Sequence, residues 1–512
     1  TKNVSYTITP IGQPDSEIIR GVVSKTSPKE IFIGTGSSQL FLQSSKTSTV
    51  SKNKGYIIEA NNVIYVSVRI QAGDGSQAGA LVSKGENALG DTFRVGAYTN
   101  ENPDTSYLSF VSVMATENNT NISFSDLPSG ISIKNYSGTL PIDINLNEGE
   151  SYIVAVNSSE SEINKDGLIG TLVRSNKPIV VNSGSTNGSF HNGDGRDYGF
   201  DQIADFSRVG REYIFVKGFG DIGWENVLIV AHLDNTSIII NGTTSFTTIN
   251  AGEYFLIEGD SFNSLGNMYV QTTNPVFAYQ GIGGIGAGGK ANESNQGLFF
   301  VPPLNCENKG KVDNIPFIRN IGTTIFTGGI SVVTNKGAKI KINNNLITNL
   351  DPSSPLEVTG PMVVSGNSDY VTYKIIGIDN DVSVESTGEL YCSYFNQNRS
   401  ATSGGYYTGF PFSPEIEFKS TSSSLGNCIP NITLEVENEN LYDTFEWFFD
   451  DGSGSGMVST SIRTPSFKPL IPGKYQLKAI IACTNREFFS IEIPVNLCPD
   501  DYDGDLVIDN LD

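Results

Sequence analysis

The sequence predicts an all-β chain of tandem, repeated β-sandwich-like units, with a β-propeller-like ring as the alternative arrangement of the copies. The first observation behind this is repetition. Ala115-Thr-Glu-Asn-Asn-Thr-Asn-Ile122 returns as Ala231-His-Leu-Asp-Asn-Thr-Ser-Ile238 and as Val333-Thr-Asn-Lys-Gly-Ala-Lys-Ile340. A second block follows each, Gly149-Glu-Ser-Tyr-Ile-Val154, Gly252-Glu-Tyr-Phe-Leu-Ile257 and Ser368-Asp-Tyr-Val-Thr-Tyr373. A third matches Arg174-Ser-Asn-Lys-Pro-Ile-Val-Val181 to Thr272-Thr-Asn-Pro-Val-Phe-Ala278. Blocks kept in one order mark duplicated structural units, which gain stability by burying a core against their neighbours. The second observation is composition. Charged residues make up only 17% of the chain and aromatics 10%, enough to pack cores. The abundant Asn, Ser, Thr and Gly favour turns, because their small polar side chains bond the local backbone or, for Gly, relax it. The third is period: Tyr213-Ile-Phe-Val-Lys217 and Val227-Leu-Ile-Val-Ala-His-Leu233 read as strands, and no long segment keeps a 3.6-residue repeat.

In chain order, residues 1–78 read as a partial N-terminal copy, since Ile57-Ile-Glu-Ala-Asn-Asn-Val-Ile-Tyr-Val-Ser-Val68 is like the third block. Full copies span 79–195, 196–295 and 296–410, punctuated by Gly-rich stretches at 184–199, 281–289 and 404–409. Each has room for about six to eight short strands. Pro411, Pro414 and Ser420-Thr-Ser-Ser-Ser-Leu-Gly426 mark 411–426 as a linker. A smaller domain follows at 427–498, with strands expected at Ile432-Thr-Leu-Glu-Val-Glu437, Thr444-Phe-Glu-Trp-Phe-Phe449 and Tyr475-Gln-Leu-Lys-Ala-Ile-Ile-Ala-Cys483. Residues 499–512 are a short acidic tail.

With 55 acidic and 33 basic residues the net charge is −22, a field that repels nucleic acid and anionic membrane surfaces. No apolar run reaches 18 residues, so no direct membrane insertion by a helix is expected. Opening at Thr1 without a signal peptide, the sequence reads as a mature or trimmed product. Five cysteines are too few for a disulfide scaffold and lack zinc-site spacing. The expected pairs are Cys306 with Cys392 and Cys428 with Cys483, leaving Cys498 odd. Five reduced, buried thiols are the alternative.

Catalytic signatures are missing: there is no Gly-x-Ser-x-Gly elbow, no His-Glu-x-x-His and no phosphate loop. Gly281-Ile-Gly-Gly-Ile-Gly286 matches a dinucleotide fingerprint by letter, but no helix is expected after it. His232 lies on an apolar strand and reads as structural. His191, with Asp194, Asp197 and Asp201, lies in or beside the polar loop Ser189-Phe-His-Asn-Gly-Asp-Gly-Arg-Asp-Tyr198 and could form a cation or sugar site. Trp224, flanked by Asp221 and Glu225, offers a flat apolar face of the kind that stacks on sugars.

Three parts of the chain resemble known families. Ala88-Leu-Gly-Asp-Thr-Phe-Arg-Val95, Val113-Met-Ala-Thr-Glu-Asn-Asn-Thr-Asn-Ile-Ser123, Asn147-Glu-Gly-Glu-Ser-Tyr152 and Ser175-Asn-Lys-Pro-Ile-Val180 make residues 79–300 resemble the N-terminal region family of IgGFc-binding proteins. Phe445-Glu-Trp-Phe-Phe-Asp-Asp-Gly452 and Pro472-Gly-Lys-Tyr-Gln-Leu477 make residues 427–498 similar to a PKD or related Ig-like β-sandwich. There Trp447 would fill the core and the Asp-Asp-Gly would turn the chain. Asp501-Tyr-Asp-Gly-Asp-Leu-Val-Ile-Asp-Asn-Leu-Asp512 resembles a thrombospondin type 3 calcium repeat, departing from it at Leu506, where Gly is commoner. The resemblance implies calcium on Asp501, Asp503, Asp505, Asp509 and Asp512, hard oxygen donors of the type this cation takes. Together these resemblances imply a non-enzymatic secreted surface adhesin of the kind found in Bacteroidota, binding an extracellular glycan or protein. The same likeness implies type nine secretion or outer-membrane anchoring machinery as a further partner. A purely structural stalk, and a polysaccharide-degrading enzyme or its accessory module, are the alternatives.

Overall fold

The computed structural model describes residues 3–36, 38–72, 75–190, 195–220, 223–284, 295–351, 353–410, 413–421 and 426–498, with only the backbone described for Lys309 and Asn440. The chain divides into two compact units, residues 1–410 and 411–512. Both are built from strands, as the alternating apolar pattern requires.

The first unit opens with β1 (Val4–Pro10), β2 (Ile19–Val23), β3 (Tyr56–Ala60), β4 (Ser67–Ala72) and β5 (Gln77–Val82). The first copy then supplies β6 (Gly90–Arg94), β7 (Leu108–Ala115), β8 (Thr120–Ser125), β9 (Ile142–Leu146), β10 (Ser151–Asn157), β11 (Leu172–Gly188) and β12 (Asp197–Ile203). The second repeats that series as β13 (Gly210–Val216), β14 (Asn226–Ala231), β15 (Thr236–Ile240), β16 (Phe246–Ile249), β17 (Tyr254–Ile257), β18 (Asn267–Ile282) and β19 (Gly297–Phe300). The third carries β20 (Lys309–Ile315), the small hairpin β21 (Asn320–Ile321) and β22 (Thr324–Ile325), then β23 (Thr327–Asn335), β24 (Ile340–Ile342) and β25 (Asn345–Leu346). It ends with β26 (Glu357–Val363), β27 (Tyr370–Ile376), β28 (Val382–Glu389), β29 (Tyr391–Asn398) and β30 (Ala401–Tyr406).

The copies share one topology. The first runs β10-β7-β11-β8-β9 with β6 and β12 also on β11, and the second runs β17-β14-β18-β15-β16 with β13 and β19 on β18. The third splits the scheme into β20-β28-β24-β25 and β26-β27-β23-β29-β30, because its long central strand is interrupted at Leu390. Each repeated block has a structural job. The first makes the turn out of β7, β14 or β23, where Asn119, Asn235 and Gly337 take left-handed φ of 56°, 56° and 86°, a conformation that Asn and Gly tolerate best. The second block leads into β10, β17 and β27. The third is the fold-over of the long strand: β11 pairs β8 before Pro178 and β7 after it, with a register shift between Arg174 and Ile179. Proline lacks the N–H that an unbroken ladder needs, so it suits this corner.

The β-repeats are observed, yet they are not independent domains. β12 pairs with β11 and β19 with β18, so each closes the preceding copy, whereas the boundaries drawn at 196 and 296 assign it to the next. The first copy's core includes Leu228, Val230, Phe277 and Tyr279 of the second. The second core includes Tyr391, Phe395 and Tyr406 of the third, and the third includes Ala80 and Val82 of β5.

At the centre, β5, β12, β19 and β30 touch in a closed cycle, β5 against β12 and β30, β19 against the same two. Asp197 and Asp201 of β12 hold this hub together. They are four residues apart and therefore on one face of the strand. Asp197 accepts the backbone N–H of Ala78 and, at 2.8 Å, that of Thr402. Asp201 accepts from Val82 at 3.2 Å and Phe300 at 3.1 Å, and pairs with the buried Lys84 Nζ at 2.8 Å. The two carboxylates thus bond to all three other hub strands. Gly199 between them must be small, since a Cβ there would lie 2.0 Å from Tyr98 Oη.

The second unit holds β31 (Ile416–Ser420), β32 (Ile432–Val436), β33 (Thr444–Asp450), β34 (Val458–Ser459), β35 (Ser466–Phe467), β36 (Gly473–Ile481), β37 (Arg486–Phe489) and β38 (Ile493–Val495). They form sheets β31-β32-β35 and β34-β33-β36-β37, the latter with β38 on β36. Trp447 is fully buried between them, stacked on Phe467 at 5.6 Å, its Nε1 donating to the Thr464 carbonyl at 3.0 Å. Residues 416–420, inside the expected linker, are a strand paired with β32. The expected disulfides are not the ones found. Cys428 is bonded to Cys498, not Cys483, because a parallel bridge of Ile429 with Leu497 sets the two cysteines side by side. Cys392 is a free thiol buried in the third core and so does not pair with Cys306. Burial raises its pKa.

Asp201→Ala should destabilise the first unit by about 3–5 kcal/mol, since it strands a buried lysine charge. The apolar pair Lys84→Met with Asp201→Leu should recover part of that loss. Equilibrium urea unfolding followed by circular dichroism would test both, and equal stability of the single variant and the unaltered protein would disprove the clamp.

Candidate functional site

Among the described residues, those expected from sequence to bind a ligand do not share one surface site. His191 and Asp194 lie outside the described residues, as do Asp501, Asp503, Asp505, Asp509 and Asp512. Asp197 and Asp201 are buried in the hub. Burial pushes the Asp197 carboxyl well above the usual carboxylate range, against three backbone N–H donors that pull it down. Trp224 is half-buried. Its neighbourhood does meet the end of β11, through a residue that sequence reading missed. The Gln296 side chain accepts from Ser189 Oγ and the Phe190 N–H at 2.9 and 2.7 Å, and donates to the Trp224 carbonyl and Asn226 Oδ1 at 2.7 and 2.8 Å. Glu225 is buried and accepts the N–H groups of Gly218, Gly220 and Gly283 at 2.6, 2.7 and 3.0 Å. Burial raises its pKa, but it serves as a loop anchor.

An open site lies where the first and second copies meet. Two adjoining hollows of about 360 and 470 Å³ form one groove. One wall comes from the first copy: Asp126 after β8, Thr99 and Glu101 after β6, and the segment from Glu162 to Ile169. The other comes from the second block of the second copy, Gly252, Glu253, Tyr254, Leu256 and Glu258. The copies approach closely here because both contact points are glycines at positive φ: a Cβ on Gly170 would lie 1.8 Å from the Gly252 carbonyl oxygen. Tyr254 Oη spans the groove and donates to Asp166 Oδ2 at 2.6 Å. Burial and this carboxylate raise the Tyr254 pKa, so the phenol stays protonated.

The groove is acidic. Glu101, Glu162, Asp166, Glu253 and Glu258 line it with Asp126, and its cations are already engaged. Lys165 pairs with Glu162 at 2.7 Å, and the buried Arg94 with Asp126 at 2.6 Å while also donating to the Gly170 carbonyl at 2.7 Å. Such a surface attracts cationic groups. Its one sequence-level signal was the second block itself, where Tyr254 stands at the position that Ser151 holds in the first copy.

The sequence profile of the family described as IgGFc binding protein matches residues 78–405, more than half of the chain. The chain belongs to that family. The matched IgGFc-binding segment begins in β5 and ends in β30, so its borders fall on two hub strands. The family is one of binding domains. No curated protein matches the chain. No helix among the described residues is long and apolar enough to cross a membrane.

His232 lies close to the Arg94–Asp126 wall of this IgGFc-binding unit, its ring 4.1 Å from that of Phe206. Burial, then the nearby Arg94 and Arg174, push its pKa down to about 4 from the ordinary 6.5. Between those values the unfolded chain binds a proton that the native state does not. Stability should therefore be full above pH 6.5 and fall as the pH drops toward 4. Partial exposure limits the loss to about 1 kcal/mol. His232→Phe should flatten this part of the stability–pH curve, measured by urea unfolding across that range. An unchanged slope would show that His232 is not responsible.

Proposed function

We propose that this protein is a non-enzymatic, extracellular or cell-surface adhesin-like binding protein, and that it takes a protein ligand at the groove between its first and second copies. Membership of a binding-domain family over residues 78–405 is the observation that carries this reading. Two others support it. The buried carboxylates with raised pKa, Asp197, Asp201 and Glu225, all accept backbone N–H groups, whereas a glycosidase would hold a pair facing each other across a cleft. The Cys428–Cys498 disulfide fits an oxidising compartment. The second unit and the tail would act as a spacer. The carboxylates of Asp501, Asp503, Asp505, Asp509 and Asp512 suit a hard divalent cation such as calcium, which would stiffen that segment by relieving their mutual repulsion.

The purified chain should bind saturably to at least one protein on an array of immunoglobulin Fc, mucins and glycans, with calcium and equally with chelator. Asp166→Lys, which reverses charge in the groove, should weaken that binding about tenfold, a typical effect of a charge placed against its complement. Silence of the unaltered chain toward every protein on the array would sink this reading.

A further inference from the structure

The three copies place an equivalent strand at the same outer edge, β10 in the first, β17 in the second and β27 in the third. Two of these edges are covered by another part of the chain. In an antiparallel ladder alternate residues turn their backbone groups away from the paired strand, and on β10 these are Ser151, Ile153 and Ala155. The chain's own segment 48–51 bonds to the first two: Ser51 and Ser151 exchange N–H···O bonds of 2.8 and 2.9 Å, and the Ser48 N–H donates to the Ile153 carbonyl at 2.9 Å. The Lys134 N–H donates to the Ala155 carbonyl at 2.8 Å. In the third copy β26 pairs along β27, Val358 opposite Ile375 and Met362 opposite Thr372.

In the second copy the edge is bare among the described residues. β17 pairs only with β14, and the outward residues matching Ser151 and Ile153 are Tyr254 and Leu256. Neither has a backbone hydrogen bond on its outward side among the described residues. Both line the acidic groove beside Glu101, Glu162, Asp166 and Glu258.

We infer that β17 receives an extended peptide segment of a protein partner, added as a further strand in the way residues 48–51 cap β10, with basic side chains reaching the groove's carboxylates. Main-chain bonds to Tyr254 and Leu256 give such a strand its grip, and the carboxylates select its charge. This rests on the binding-protein reading and specifies how the ligand is held.

The test uses the full chain and three end-capped eight-residue peptides, followed by fluorescence anisotropy. The first alternates lysine and valine, the second is the same peptide N-methylated at every amide, and the third alternates glutamate and valine. The lysine peptide should bind with an affinity that falls as salt rises, and the glutamate peptide should not bind. N-methylation, and separately Leu256→Pro, should each weaken binding about tenfold through lost main-chain bonds. Proline is tolerated on an edge strand when its missing N–H faces outward, and circular dichroism would verify the variant's fold. Absence of lysine-peptide binding at millimolar concentration, or equal binding of the parent and N-methylated peptides, would overturn the inference. An array hit on a folded protein indifferent to Leu256→Pro would also overturn it while leaving the binding reading intact. A silent array beside a bound lysine peptide would do the reverse.

Discussion

Two carboxylates on one strand hold the first unit together. Asp197 and Asp201 face inward from β12 and accept backbone N–H groups from β5, β19 and β30, strands that come from the partial copy and from the second and third full copies. A carboxylate buried this deeply is costly unless its oxygens are satisfied. Each accepts one N–H from the next residue of its own strand, Tyr198 or Gln202, and its remaining bonds form only when the other hub strands are in place. Assembly of the copies and burial of the acids are therefore one event. Lys84 reinforces the point, since its buried ammonium forms its salt bridge with Asp201.

Much of the architecture was legible because the repeated blocks mark places where the backbone is constrained. The Asn119, Asn235 and Gly337 corners need residues that tolerate a left-handed turn, and Pro178 and Pro275 fall at breaks in a ladder. Trp447 could be read as core because a large apolar ring on an alternating strand has nowhere else to go. What failed to show was long-range. Asp197-Tyr-Gly-Phe-Asp201 reads locally as a polar, Gly-containing loop, and only the neighbouring copies reveal it as a hub strand. Ile416 and Phe418 alternate as a strand should, but adjoining prolines and serines disguised them as linker. The Cys428–Cys498 bond depends on a parallel pairing of Ile429 with Leu497, which nothing near either cysteine announces.

The groove was hidden for a related reason. Its acidic lining comes from segments of two copies, and each acid alone looks like ordinary surface charge. Only the close approach at Gly170 and Gly252 turns them into one wall facing another. The second copy also departs from the first where it matters. Tyr254 replaces a small serine and reaches across to Asp166, and no segment of the described chain lies along its strand edge. Duplication followed by local divergence has thus left three similar scaffolds with different exposed rims.

The closed cycle of β5, β12, β19 and β30 constrains how such a protein can change over time. An open solenoid can gain or lose a module at little cost, because each module contacts only its neighbours. Here an inserted fourth module would separate strands that now touch, and deleting one would remove some of the aspartates' donors. The copy number is in effect locked. Diversification is confined to the rims and connecting loops, where side chains can be exchanged without opening the centre.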